Sequence, residues 1–169
     1  SINGVTIGLD SSNVSIGSGA LDAKRGENFN VAIGVQSLKN NTTGFSNVSI
    51  GTNSMLSNTT GNYNVALGYN SLNSNTTGHD NIALGENAAK LNESGANNVA
   101  IGNSALTFNL IGESNVAIGT EAMRNAKDVY RNVAIGQRAL SSSSTGGSDN
   151  VAIGSNTMER NTSGSGNVS

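Results

Sequence analysis

The chain has no cysteine, no proline and no tryptophan, and only six of its 169 residues are Phe or Tyr. Without cysteine there are no disulfides and no thiolate metal sites, so the redox compartment leaves no mark on the sequence. Aromatics at 4% are too few for the compact core of an ordinary domain of this length. Charged residues reach only 12% and the formal net charge is −2, which offers no electrostatic basis for binding nucleic acid or an anionic membrane. No apolar run approaches the roughly 18 to 20 residues that span a bilayer, so no membrane insertion is expected. A basic segment followed by an apolar one, the mark of a signal peptide, is missing as well. Disorder would explain weak cores, but disordered chains carry high charge and many Pro, Glu and Lys. Here hydrophobic residues still make up 35%, and they are not scattered.

Asn, Ser and Gly fill the space, with 28, 24 and 22 residues respectively. Their placement is periodic. An Asn followed by Val-Ala-Ile-Gly or a close variant recurs every 17 residues at Asn13, Asn30, Asn47, Asn64, Asn81, Asn98, Asn115 and Asn132. Asn150 follows after 18, the extra residue falling in the run Ser141 to Gly147, and Asn167 opens a further, truncated copy. Self-similarity at a fixed short period is the signature of a solenoid. The chain divides into an irregular opening turn (1–12) and one repeat domain (13–169) of nine full copies and a truncated tenth, read as a piece of a longer fibre.

Numbered from its Asn, each copy has Val or Ile at position 2, Ala or Ser at position 3, Ile or Leu at position 4 and Gly at position 5. Position 9 is Leu or Met except at Ala89; position 12 is often Asn, and a second Gly recurs near position 15. Alternation of β-branched with small residues is the period of a strand. Gly at position 5 and Asn-Thr-Thr-Gly are turn chemistry. The copy therefore reads as strand, turn, second short strand and turn, and the expected fold is an all-β parallel β-solenoid of 17-residue coils. Positions 2, 4 and 9 are expected inside, so the core columns run through Val31, Ile33 and Leu38, through Val99, Ile101 and Leu106, and through Val133, Ile135 and Leu140. The position-1 Asn residues are expected to form a ladder of side-chain amides. Ten coils at about 4.8 Å give a rod about 45 to 50 Å long.

Position 3 never carries a large or charged side chain, so something approaches that face closely. Placed outward, it implies a partner subunit and a cyclic homo-oligomer whose number of chains stays open.

Asn-Val-Ala-Ile-Gly-x-x-Ala-Leu, as in Asn98 to Leu106, resembles the head repeats of trimeric autotransporter adhesins, the YadA-like family. The unit with Asn-Thr-Thr-Gly, as in Asn41 to Gly44 and Asn75 to Gly78, is similar to repeats of phage tail-fibre-like proteins and bacterial surface fibres. The resemblance covers about Val5 to Ser169. It implies a left-handed β-roll, a homotrimeric fibre and an extracellular setting, on a cell surface or a phage tail. The period of 17 is longer than the usual autotransporter head repeat.

Catalytic chemistry is nearly absent from the sequence, and neither an enzyme nor a cofactor is expected. His79 is the only His, which excludes a His-cluster metal site. Its neighbour Asp80 is expected to point the opposite way, as adjacent strand residues do. The acidic residues form no column, so the calcium-binding nonapeptide pattern is absent. Asn-x-Ser/Thr triplets such as Asn41-Thr42-Thr43 are expected by composition alone. The pairs Thr42-Thr43, Thr59-Thr60 and Thr76-Thr77 form a short array of the kind seen in ice-binding solenoids, and it breaks at Glu93-Ser94.

The turn before each Asn varies most, and variable loops are where recognition resides. It carries Phe29, Phe45, Tyr63, His79 and Tyr130; Phe45, Tyr63, His79 and Tyr130 are the candidate surface-recognition residues, able to stack on sugar rings or to shield the coil edge. The expected function is a non-enzymatic fibre segment that attaches to a cell-surface glycan or protein receptor. A structural spacer without a ligand is the alternative, and an ice-binding solenoid a remoter one.

Overall fold

The computed structural model describes residues 7–9, 12–23, 28–142 and 147–169. They contain no helix and one ten-stranded sheet. The strands are β1 (Ile7–Leu9), β2 (Val14–Ile16), β3 (Val31–Ile33), β4 (Val48–Ile50), β5 (Val65–Leu67), β6 (Ile82–Leu84), β7 (Val99–Ile101), β8 (Val116–Ile118), β9 (Val133–Ile135) and β10 (Val151–Ile153). From β2 to β10 every neighbour is parallel and in register: Val31 pairs with Val48, Ala100 with Ala117 and Ile135 with Ile153. β1 alone runs antiparallel, Ile7 opposite Ile16. The chain is a parallel β-solenoid with about 17 residues per turn, and the eight parallel steps span about 38 Å.

Each coil holds one strand, not the expected two. Residues in the left-handed region interrupt the extended backbone: Asn53 and Met55 have φ of 57° and 49°, and positions 7 and 9 repeat this along the rod. Position 5 to position 8 forms a turn, Ser37 N–H donating to the Gly34 carbonyl at 3.3 Å. Its third residue needs positive φ, as in a type II turn, which is why Asn recurs at position 7 (Asn53, Asn70, Asn87, Asn156). Leu at position 9 tolerates this region poorly, at a cost of about 1–2 kcal/mol. Complete burial of the same side chain returns about 1.5–3 kcal/mol, so burial prevails. Gly34 shows why position 5 is invariant. Its φ is +133°, and a Cβ there would sit 2.5 Å from the Gly51 carbonyl oxygen of the next coil.

The inner and outer faces of the strand are the reverse of the sequence expectation. Ala32, Ala66, Ala83, Ala100, Ala117, Ala134 and Ala152 at position 3 are fully buried. Val31, Ile33, Val99, Ile101 and Val133 are only half-buried, and Ile135 is 36% exposed. Leu38, Leu106 and Leu140 do lie in the core, at 0% exposure. The reason is volume. Behind the strand the coil must also hold position 8 (Ser37, Ser54, Ala88, Ala105), position 9 and two columns of Asn, all buried. Only a methyl or a hydroxymethyl group fits between these walls. Where position 3 is Ser49, the Ser37 hydroxyl meets its Oγ at 2.8 Å and Ser49 Oγ donates to the Ser54 carbonyl at 3.0 Å. The restriction to Ala and Ser was a contact from within the chain, not from a partner.

Two Asn columns bind the coils. At position 1, each Oδ1 accepts the backbone N–H of the next coil's Asn, as Asn30 Oδ1 does from Asn47 at 2.9 Å, and also its Nδ2–H at 3.2 Å. That Nδ2 donates further to the position-15 carbonyl, Asn47 to Gly61 at 2.8 Å. This column runs from Asn13 to Asn167. The position-12 column is shorter: Asn58 donates to Asn41 at 2.7 Å, Asn75 to Asn58 at 2.8 Å, Asn92 to Asn75 at 2.9 Å and Asn109 to Asn92 at 3.3 Å. It stops at Ala126, and the buried Asn109 Oδ1 has no partner. In the same coil, buried Val129 replaces the position-15 Gly. A Cβ on that Gly meets its own coil's position-12 amide, as at Gly61, where Asn58 Oδ1 would lie 2.4 Å away. Val129 is thus compatible with Ala126 and incompatible with Asn.

Two outcomes follow for denaturant unfolding. Ala100→Leu is expected to cost about 1–3 kcal/mol through overpacking, and an unchanged midpoint would contradict the buried position-3 column. Ala126→Asn and Val129→Gly are expected to destabilise singly and to couple favourably in the double variant by about 1 kcal/mol or more; additivity within about 0.5 kcal/mol would refute the steric link.

Candidate assembly face and aromatic edge

With position 3 turned inward, positions 2 and 4 of every coil point outward. In-register pairing stacks them into two apolar rows across nine strands, Val14 to Val151 and Ile16 to Ile153. Exposure along the rows reaches 36% at Val65, 49% at Leu67, 39% at Ile82 and 58% at Ile153. No charged side chain interrupts either row. A contiguous apolar stripe is the kind of surface through which proteins commonly meet a partner.

Two turn edges flank the face. On one side lies position 6, where Val35 and Tyr69 are exposed among polar residues. On the other lie positions 16 and 17, and position 17 has positive φ in every described coil, from Phe29 (52°) to Asp149 (60°). Phe45 and Tyr63 meet edge to face there, centroids 5.0 Å apart and planes at 81°. His79 is on the next coil of this edge, its Nδ1 2.8 Å from Asp80 Oδ2. The two side chains converge, contrary to the strand-based expectation, because they occupy a turn in which Asp80 has φ of 55°. Tyr130 is half-buried and three coils beyond His79, so it does not join the group.

No pocket and no group of three His, Asp or Glu placed to hold a metal occurs among the described residues. No family model, curated protein or solved structure matches the chain.

Other sequence motifs are absorbed by the coil. Asn41, Asn58 and Asn75, the acceptors of the Asn-Thr-Thr triplets, are fully buried with their amides engaged. Thr42, Thr59 and Thr76 each donate a hydroxyl to the carbonyl one coil on, at 3.0 Å. Only Thr43, Thr60 and Thr77 remain exposed, and Ile111 stands two coils further in that column.

Charge gathers near the C-terminal coils. Arg138 reaches Glu159 at 2.6 Å and Glu121 at 3.7 Å, and Arg131 grips Asp149 with two bonds of 2.7 and 3.0 Å. The Arg131 hydrogen bonds hold the Asp149 carboxyl below the usual carboxylate range, while the carboxylate raises Arg131. Both groups are solvent-exposed, so this stabilisation is small. Because the folded Asp149 is the stronger acid, its contribution is complete above the ordinary carboxylate range and fades as pH falls through its depressed value. A wild-type advantage in Tm over Asp149→Asn is expected at neutral pH and should vanish in strong acid; a difference independent of pH would exclude the ion pair as its source.

The outward apolar rows are what sequence reasoning missed. The available signal was the size limit at position 3, which belongs to whichever face has the least room.

Proposed function

We propose that the chain is a non-enzymatic segment of an extracellular fibre, which assembles with copies of itself through the apolar rows and serves attachment to a cell-surface glycan or protein receptor. The carrying observation is the continuous stripe from Val14 and Ile16 to Val151 and Ile153. Its apolar side chains recur at the coil spacing, about 4.8 Å. A partner that matches every coil needs the same axial repeat, and a second copy in parallel has it. Closed rotation of such copies about the fibre axis gives a cyclic assembly without a free apolar face. The resemblance to trimeric fibre repeats supports three chains, each a left-handed roll, on a bacterial surface or a phage tail. The partner argument thus moves from the small face to the large-residue face.

Light scattering at micromolar concentration is expected to show a homotrimer. Ile101→Asp, at the centre of the face, is expected to yield monomers that keep the β-sheet circular dichroism of the parent, since the side chain does not enter the coil. A folded wild-type monomer would defeat the proposal. A passive spacer is the second reading, supported by the lack of any pocket among the described residues; it predicts a trimer that binds neither cells nor glycans.

A further inference from the structure

Half of the chain's six aromatic residues, Phe29, Phe45 and Tyr63, occupy one edge of three consecutive coils, and His79 follows on the fourth. The rings alternate between positions 17 and 16, so they form a zigzag rather than a stack. Position-17 N–H groups donate to position-16 carbonyls one coil back, Tyr63 to Phe45 at 3.1 Å, which places successive rings diagonally. All four are exposed, Phe29 at 66% and Tyr63 at 54%. The strip is about 14 Å long, three coil steps.

Stability does not account for these rings. Phe29 and Tyr63 sit in the left-handed region, at φ of 52° and 56°, which bulky residues adopt at a cost. Later coils place Asp80, Asn97, Ser114 and Asp149 at the same position with the same φ. Nor do they serve as a seam for the assembly face. That face runs the whole rod, whereas Ala96-Asn97 and Glu113-Ser114 replace the rings in the two coils beyond His79. Ser148-Asp149 does so further on, and the one later ring at this edge, Tyr130, stands alone and half-buried.

We infer that this edge is a glycan-binding strip for a neutral oligosaccharide lying along the fibre axis. The inference rests on the attachment reading above and names its ligand class and site. The electron-rich faces of Phe and Tyr attract the polarised C–H groups of a pyranose face. The coil spacing, about 4.8 Å, is close to the length of one sugar ring, so successive residues of the ligand meet successive coils. Hydroxyl partners stand beside the rings: Thr43, Thr60 and Thr77 are exposed two residues before positions 16, and Asp80 offers the only carboxylate among the strip's described residues.

The test uses the assembled protein on an array of neutral oligosaccharides (gluco-, galacto- and N-acetylglucosamine-based), followed by calorimetric titration of the best binder. Phe29→Asn, Phe45→Asn and Tyr63→Asn introduce a residue that other coils already hold, Asn97 at position 17 and Asn28 and Asn62 at position 16. The triple variant is expected to stay assembled, with an unchanged or higher Tm, and to bind about tenfold more weakly or not at all. Tyr130→Asn, outside the strip, is expected to bind as the parent does. The inference is overturned if no array member binds the assembled parent, or if the triple variant binds undiminished. Dissociation of the triple variant into monomers would also overturn it, by making the rings part of the seam. Light scattering on the same samples separates this from failure of the assembly proposal, because a monomeric parent that still binds through the rings keeps the strip and loses the fibre.

Discussion

Everything in this rod depends on the position-1 asparagine. From Asn47 to Asn150 each of these amides is buried and fully used. Oδ1 accepts two N–H groups from the coil ahead, while Nδ2 donates one hydrogen bond to the Asn Oδ1 of the coil behind and one to the position-15 carbonyl of its own coil. A buried amide left unpaired costs about 1–3 kcal/mol, so a slip of one coil by one residue would orphan several groups at once. The column therefore enforces register as well as joining coils. It also closes the cross-section, because the position-15 carbonyl lies at the far end of the 17-residue turn.

Once the register is held, the cross-section is narrow, and that narrowness sets the amino-acid rules. Alanine at position 3 and Ala or Ser at position 8 line the space that two Asn columns and one Leu or Met leave. Gly at position 5 lets successive backbones approach closely. At Val129 the rule changes locally and in a compensated way, with Ala126 giving up its amide and Asn109 Oδ1 left without a partner. Large apolar residues have nowhere to go but out. The same constraint that makes a thin core thus produces the apolar face through which the rod is proposed to assemble.

Most of the fold was legible in the sequence because a repeat multiplies weak signals. The 17-residue period, the strand at positions 2 to 4, the Asn ladder and the buried Leu38, Leu106 and Leu140 could all be read from column statistics. The second strand could not be distinguished from a turn, since nothing in Leu38 or Met55 announces a positive φ. At the candidate site, the aromatic edge was visible as composition. Its order was not: Phe45 and Tyr63 touch and Tyr130 is remote because of how far each turn advances along the axis. His79 and Asp80 converge because their turn is not extended.

The sequence by itself determined the coil length, the parallel register and the position-1 Asn ladder, since each is a property of spacing. Which strand face is inside was decided only by tertiary structure. A period of two assigns Val31 and Ile33 to one side and Ala32 to the other, and it is unchanged when the two sides are exchanged. What breaks that symmetry is the volume available behind the strand once the coil has closed around its buried amides, and Ala32 fits there while Ile33 does not.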